Sequence, residues 1–441
     1  MNTTQTAPPA NPPQADPPPA TPPRTSPPPS VAPAIEIQSA SFYQRAIEHA
    51  LSRMHQGCLH VTMPDGETRR FGKSPEVTAH LRIVRESFFK RCALYGDIGF
   101  GEAYVDGDWE TDNLTAVITW FIQNVEHAPG MSGSKTRATA INLLRGLNRI
   151  KHVLRPNSIE TSRQNIADHY DLGNDFYKLW LDPTMTYSCG IFTSPEQTLE
   201  SAQLAKYEAL CRTLRLKPTD SVLEIGSGWG GFACYAVKTY GCQVTTLTLS
   251  KAQHAYCRER FVREGIGDNA EVHLQDYRDI TGRFDKIISI EMLEAVGERY
   301  VEDYFAQCHN LLKHHGLLSL QYITCPDSRY HQFRTGVDWI QKHIFPGSLL
   351  MSAGRVTDAL QRVTDLHMFE LRDLGLHYVR TLREWRTRFN ANHDELRKLK
   401  FDDHFIRKWN YYLCYCEAAF AQRNISVVQA VYTRPNNRAL M

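Results

Sequence analysis

The chain has 441 residues, 42% of them hydrophobic, which is enough for two or three domains that each bury a core. Its 50 basic and 48 acidic residues leave a net charge of +2, so no global basic field predicts binding to nucleic acid. The 11 cysteines show no metal-site spacing and follow no secretory leader. We therefore expect reduced thiols in a cytoplasmic protein, with no metal site and no spanning helix.

The amino-terminal part divides into a tail and a small domain. Residues 1–34 hold 13 of the 23 prolines and almost no large apolar side chains. Such a segment cannot bury enough surface to offset its chain entropy, so residues 1–38 are predicted to be a disordered Pro-rich tail. Residues 39–128 are predicted to form a small α+β domain. Helical apolar spacing over 42–54, and strands at 59–63 and 68–71 around a Pro-Asp-Gly turn, indicate this fold.

Basic residues dominate the segment that follows. Residues 131–163 carry seven lysines and arginines against one acid, and Leu143, Leu147, Ile150 and Leu154 fall on one helical face. We predict an amphipathic linker helix over 129–165. It would either hold the protein on anionic lipid, at about 1 kcal/mol per basic residue, or serve as an ordinary interdomain helix with a solvated charged face. The second alternative is the commoner one.

Strand-like and helix-like segments alternate from residue 219 onward. The strands are predicted at 221–225, 243–249, 270–277, 284–291 and 317–324, with helices between most of them. This alternation predicts a parallel sheet with helices on both faces, an α/β fold.

A glycine-rich turn follows the first of these strands. The residues from Glu224 to Gly230 have the spacing E-x-G-x-G-x-G, which lets the backbone turn tightly beside a helix amino terminus. The second strand ends without the acid that a dinucleotide site uses for its ribose, whereas Asp276 and Tyr277 follow the third strand. This pattern resembles class I methyltransferases; a purely structural glycine turn is the alternative.

Longer motifs narrow the class. They read HYDLGNDFY at 169–177, TYSC at 186–189, EMLEAVG at 291–297, IFPG at 344–347 and HYVRTL at 377–382. Over residues 166–434 they resemble the catalytic domain of cyclopropane fatty acid synthases and mycolic acid methyltransferases. The resemblance predicts a Rossmann-like S-adenosylmethionine (SAM) methyltransferase domain over 166–441. The small domain at 39–128 is similar to that of phospholipid-acting members, so we expect it to be lipid-associated.

The resemblance also implies where SAM binds. The methionine end would lie against the glycine turn and the Tyr-Ser pair of the TYSC motif, and a Thr and a Gln would hold the ribose in place of the missing acid. Two residues after the third strand would lie by the adenine. The predicted set is Tyr187, Ser188, Glu224, Gly226, Gly228, Gly230, Thr248, Gln253, Asp276 and Tyr277.

In the family a bicarbonate ion serves as the base. The resemblance places its ligands at Cys189, Glu294, Gln321, Ile323 and Tyr378, with Gln321 standing where many members have His. Structural alternatives remain open for three of them: a buried hydrophobe for Cys189, a helix-terminal charge for Glu294 and a core aromatic for Tyr378.

The chemistry explains why such residues are needed. An isolated alkene is a weak nucleophile, so its attack on a sulfonium methyl requires close alignment. The transfer leaves a carbocation on the acyl chain, which aromatic faces and an anion can stabilise. Tyr170 and Phe345 are candidate aromatic neighbours, with core packing as the alternative role.

We therefore predict an enzyme that transfers a methylene group from SAM to the cis double bond of a phospholipid acyl chain, forming a cyclopropane. The main alternative is a methylene-bearing or methyl-branched chain, which the Gln at 321 makes a serious candidate, although the other predicted bicarbonate ligands match the ring-forming members. A small-molecule N- or O-methyltransferase and a non-catalytic lipid-binding protein are further alternatives. The enzyme would contact the inner face of the membrane peripherally. The sequence does not fix the oligomeric state, and a homodimer is among the assemblies that it allows.

Overall fold

The computed structural model describes Met1 and residues 41–75, 78–127 and 172–440. The predicted Pro-rich tail, the predicted linker helix and Tyr170 lie outside the described residues. Within the described ranges, no helix combines the length and the apolar character that crossing a membrane requires.

A four-stranded sheet and three helices form the amino-terminal lobe. The predicted hairpin is present, with Leu59 opposite Phe71 across an antiparallel pair, and a third strand lies parallel to the first. Residues 96–105, which include several glycines, are helical and continue the preceding helix after a kink at Gly96, whose φ is 59°. In chain order the elements are α1 (Phe42–Ser52), β1 (Cys58–Thr62), β2 (Thr68–Phe71), β3 (Thr78–Ile83), α2 (Ser87–Val105), β4 (Trp109–Glu110) and α3 (Leu114–Gln123).

The carboxyl-terminal lobe is built on a seven-stranded sheet in the order β10-β11-β9-β8-β5-β6-β7. All five predicted strands are present and parallel, which confirms the predicted α/β class. Two further strands were not predicted, and the last of them runs antiparallel to both of its neighbours. The strands are β5 (Ser221–Ile225), β6 (Gln243–Thr248), β7 (Ala270–Leu274), β8 (Phe284–Ile290), β9 (Leu312–Thr324), β10 (His367–Asp373) and β11 (Ser426–Thr433).

Helices cover this sheet and extend beyond β9. They are α4 (Asn174–Lys178), α5 (Leu199–Thr213), α6 (Gly231–Tyr240), α7 (Lys251–Arg263), α8 (Val301–Leu311), α9 (Tyr330–Thr335), α10 (Trp339–His343), α11 (Ala353–Val363), α12 (Gly375–Ala391), α13 (His393–Lys398) and α14 (Asp403–Ala421).

Helix α14 joins the two lobes. Its buried Glu417 accepts hydrogen bonds at 3.0 Å from both Arg383 and Arg386 of α12. Toward the amino-terminal lobe, Tyr411 and Trp339 pack so closely on Gly101 of α2 that a Cβ there would lie 2.5 Å from the Trp339 ring. The two lobes therefore share one aromatic core, and α14 forms a wall of the cavity described below.

Candidate active site

A cavity lies at the carboxyl ends of β5, β6 and β8, the edge where open α/β sheets bind ligands. Nine of the ten residues predicted to hold SAM line it, on segments as distant in sequence as 187–188 and 276–277. The tenth, Gly230, caps the amino terminus of α6 with a φ of 78°. The structure therefore brings the predicted cofactor residues together around one cavity.

The glycine-rich turn leaves the floor of this cavity open. Gly226 and Gly228 have φ values of 99° and 48°, in the left-handed region that favours glycine. Glu224 is 2% exposed, and its Oε2 atom has no hydrogen-bond partner among the described residues. Burial raises the pKa of this carboxyl to about 8. An open backbone beside an unpartnered carboxyl fits a polar ligand such as SAM.

The residues predicted for the ribose and the adenine are also positioned by local contacts. Thr248 donates a 2.8 Å hydrogen bond to the Oε1 atom of Gln253, and Ser250 caps α7 beneath them. Asp276 is fixed by Arg278, whose Nε atom and terminal nitrogen each donate at 2.8 Å. Arg278 lines the cavity but was not predicted, because nothing in the Asp-Tyr pair indicates a cationic neighbour.

Sequence reasoning also missed Lys206, a fully buried lysine on α5. Its Nζ atom donates a 2.7 Å hydrogen bond to the Ser188 hydroxyl, while Gln203 donates to the Ser188 carbonyl at 2.8 Å. Burial lowers the pKa of Lys206 to about 8. These two residues fix Ser188 at the wall of the cofactor cavity. In the sequence, Gln203 and Lys206 are marked only by a spacing of three residues, which places them on one helical face and is common in any helix.

A second cavity opens beside the first and is largely apolar. Tyr187, Glu291 and Ala295 line both cavities, so the two meet at these residues. Phe345, predicted as an aromatic neighbour of the cation, lies in the wall, with its ring 6.5 Å from that of Tyr187. Further wall residues are Ile323, Phe333, Ile340, Leu350, Tyr378, Leu382, Tyr412, Tyr415 and Phe420. We refer to this space as the apolar cavity.

Glu291 occupies the junction of the two cavities. Its Oε1 atom accepts hydrogen bonds from the Cys189 backbone N–H and the Gln321 side-chain amide, each at 2.8 Å. Its Oε2 atom accepts a 2.6 Å hydrogen bond from the Tyr378 hydroxyl. Sequence reasoning missed this residue, although it is the first residue of the EMLEAVG motif and follows β8 at the ligand-binding edge.

Glu294 lies close by but contacts a different donor. Its Oε1 atom accepts a hydrogen bond from the Ile323 backbone N–H, and its Oε2 atom has no partner among the described residues. Enclosure by protein and the nearby charge of Glu291 raise the pKa of Glu294 to about 8. The five residues predicted to bind bicarbonate therefore lie close together. The donors from Cys189, Gln321 and Tyr378 bind Glu291, and the donor from Ile323 binds Glu294. Bicarbonate does not fit this arrangement, because Glu291 fills its place.

The Cys189 side chain is a neutral thiol. It is completely buried, and burial raises its pKa well above the ordinary value. Its Sγ–H donates a hydrogen bond to the Gly190 carbonyl at 3.2 Å. The hydrogen bond from Cys189 to the Glu291 carboxylate comes from the backbone N–H. Cys189 therefore contributes its backbone to the site and its side chain to the core.

The family described as mycolic acid cyclopropane synthetase matches this chain over residues 157–430, more than half of its length. The chain belongs to this family. The match includes the glycine turn, both carboxylates and the apolar cavity up to α14 and most of β11.

Relatives and solved structures agree with this assignment. The tuberculostearic acid methyltransferase UfaA1 of Mycobacterium tuberculosis is 38% identical over 78% of this chain and 80% of its own. The cyclopropane-fatty-acyl-phospholipid synthase of Escherichia coli strain K12 is 36% identical over 81% of this chain and 88% of its own. The cyclopropane synthase MmaA2 from M. tuberculosis superposes with a TM-score of 0.58 at 29% identity, covering 62% of this chain and 98% of that one. The protein is thus a SAM-dependent methyltransferase of a family that acts on unsaturated lipid chains.

The glycine turn provides a direct test of the cofactor cavity. A Cβ at Gly226 would lie 3.3 Å from Met292, and the alanine would have to adopt a φ of 99°. Gly226→Ala should therefore weaken binding of S-adenosylhomocysteine at least about tenfold, or 1.4 kcal/mol. Titration calorimetry measures this affinity. Gly267→Ala is the matched control, because a Cβ at Gly267 meets nothing within 4 Å. Equal affinities in the two folded variants would contradict the assignment.

Proposed function

We propose that this enzyme transfers the SAM methyl group to the cis double bond of an unsaturated phospholipid acyl chain and closes a cyclopropane ring. The observation that carries the proposal is the apolar cavity, which opens onto the cofactor cavity with a carboxylate at the junction. A small polar N- or O-nucleophile would not need a long apolar wall. A non-catalytic lipid carrier would not need the open glycine turn.

The walls of the junction suit a developing cation. The Tyr187 and Tyr412 hydroxyls are 2.7 Å apart, which holds both rings in place, and Phe345 packs 5.8 Å from the Tyr412 ring. An aromatic face offers about 2 kcal/mol or more to a desolvated cation. A carboxylate at the same point adds the stronger electrostatic stabilisation. SAM, when bound, supplies the electrophilic methyl group; the chain's own residues align the alkene and exclude water.

A further cavity supports a substrate with two chains. It lies inside the amino-terminal lobe, is lined by apolar side chains such as Leu59, Phe89 and Ile118, and shares Tyr415 and Asn424 with the apolar cavity. A phospholipid with one chain at the junction would have its second chain near this space. We assign the cavity of the amino-terminal lobe to that chain, which favours a phospholipid over a free fatty acid.

An open-chain product is the second candidate. The step after methyl transfer depends on which proton the base can reach, and a shift of about 1 Å matters at this level of positioning. Here the base position holds a protein carboxylate and Gln321, where the resemblance predicted bicarbonate and often His. The names of the relatives include both a tuberculostearic acid methyltransferase and a cyclopropane-fatty-acyl-phospholipid synthase. A methylene-bearing or methyl-branched chain therefore remains a defined alternative.

Product analysis distinguishes these outcomes. The full chain, incubated with SAM and vesicles of dioleoyl phosphatidylglycerol, should yield acyl chains heavier by one CH₂ group, as measured by mass spectrometry. Proton NMR should show ring methylene protons far upfield. A spectrum with only vinylic or branched-methyl signals would show that the product is an open chain and would contradict the cyclopropane assignment. Faster turnover of free oleate than of the diacyl lipid would contradict the two-chain assignment.

Filling the apolar cavity should block the lipid and spare the cofactor. Ala419 is buried in its wall, whereas Ala421, two residues later on α14, is exposed. We expect Ala419→Phe to lower turnover of oleoyl lipid at least about tenfold with little change in S-adenosylhomocysteine affinity, and Ala421→Phe to change neither. Equal turnover in both variants would show that the acyl chain lies elsewhere.

We further propose peripheral contact with the inner face of the membrane, with the basic segment 131–163 supplying the attraction. This segment lies outside the described residues, so its charge pattern alone supports the proposal. Binding to anionic vesicles should weaken as salt rises, because exposed charges are screened within about 10 Å at 0.1 M. Co-sedimentation at two salt concentrations measures this. Equal binding at both salt concentrations would rule out an electrostatic contribution. Analytical sedimentation of the same protein would test whether it forms a homodimer.

A further inference from the structure

The site predicted to hold a free anion is filled by a side chain. The groups that converge on Glu291 come from three separate segments: the backbone of Cys189, the amide of Gln321 on β9 and the hydroxyl of Tyr378 on α12. Three donors aimed at one point form an anion-binding arrangement. Each of them was predicted as a bicarbonate ligand, and each is already bonded to the Glu291 carboxylate.

The backbone at this position is one that glycine favours. Glu291 has a φ of 50°, in the left-handed region, which is unfavourable for a residue with a side chain. Such strain persists where the surrounding structure holds it in place, and it concentrates at functional sites. A glycine here would be relaxed but would leave the three donors without an anion. Glu291 instead places a carboxylate within hydrogen-bond distance of all three donors.

We propose that Glu291 is the catalytic base of this enzyme and takes the place of a bound bicarbonate ion. The inference rests on the proposed function, because it names the group that receives the proton in that reaction. Glu291 qualifies on position, since it lines both the cofactor cavity and the apolar cavity at the point where they meet.

The step balances without any further reactant. The alkene π pair forms a bond to the SAM methyl carbon as the C–S bond breaks, which leaves neutral S-adenosylhomocysteine and a cation on the other alkene carbon. A proton then passes from the new methyl group to a Glu291 oxygen, and the released C–H electron pair closes the ring. Glu291 ends the turnover as a carboxylic acid and returns its proton to solvent when the site opens.

The neighbouring charges are consistent with this role. Glu294 has its pKa raised to about 8, by its enclosure and by the charge of Glu291. Glu291 accepts hydrogen bonds from three donors and Glu294 from one, so a negative charge is better stabilised on Glu291. Enclosure also raises the pKa of Glu291, which strengthens it as a base, while the donors oppose that rise.

Two substitutions separate a protein base from a bicarbonate base. Glu291→Gln keeps the shape and fills the site, but it cannot accept a proton. Glu291→Gly relieves the left-handed strain and frees the three donors, so a small anion can enter. Both are compared with wild type on dioleoyl phosphatidylglycerol vesicles, in buffer freed of carbon dioxide and in the same buffer with bicarbonate. The thermal unfolding midpoint shows whether each variant is folded.

We expect wild type to turn over equally in both buffers. Glu291→Gln should lose about 10²–10⁴-fold, the range for a removed general base, and bicarbonate should not restore it. Glu291→Gly should lose as much without bicarbonate and recover when it is added. The inference is overturned by a wild type that requires bicarbonate, by a Glu291→Gln variant with near-normal turnover, or by failure of bicarbonate to restore Glu291→Gly. A wild type that modifies no acyl chain would instead overturn the proposed function, and this inference with it.

Discussion

The active site depends on one constraint: a carboxylate held away from bulk water must be matched by donors. Glu291 satisfies it with three hydrogen bonds, of 2.6 to 2.8 Å, from parts of the chain as far apart as residues 189 and 378. Removing one donor from such a group typically costs about 1–3 kcal/mol or more. The carboxylate therefore fixes where the segment after Tyr187, strand β9 and helix α12 meet, and that meeting point is where the two cavities join.

The same constraint explains why two carboxylates can lie side by side. Two ionised carboxylates in one enclosed site repel, so one of them retains its proton. Glu294 has a single backbone donor and an unpartnered second oxygen, and its pKa is raised to about 8. Glu291, which accepts three hydrogen bonds, is the carboxyl on which a negative charge is better stabilised. A stabilised negative charge at the junction suits the transient cation of the proposed reaction.

How much of this could be predicted follows from how local each signal is. The alternation of strands with helices and the E-x-G-x-G-x-G turn are local patterns, so all five parallel strands were predicted, and nine of the ten residues predicted to hold SAM line one cavity. β10 and β11 were not predicted, because β11 inserts between β9 and β10 out of chain order, which no local pattern signals. Lys206 was missed because it acts on Ser188, a partner that only the fold brings close.

Glu291 shows the limit of reasoning by resemblance. The motif at 291–297 drew attention to Glu294, the acid expected from the family, and the preceding Glu was read as the end of a strand. β8 ends one residue earlier, at Ile290, and the chain turns at once with a positive φ. A non-glycine residue in that conformation, at the carboxyl edge of the sheet, is a signal of function that only the backbone reveals.

The orientation of the Gln321 side chain is set by a residue on the neighbouring strand β11. Gln429 on β11 donates a 2.9 Å hydrogen bond to the Gln321 Oε1 atom, so the Gln321 NH₂ group must face Glu291 and the Cys189 carbonyl. An amide in this position donates at every pH, whereas a histidine would exchange protons near neutrality. A site whose base is a movable ion can use a second titrating group to hold it. A site whose base is covalently part of the chain needs only a fixed donor, and the Gln429–Gln321 pair supplies one.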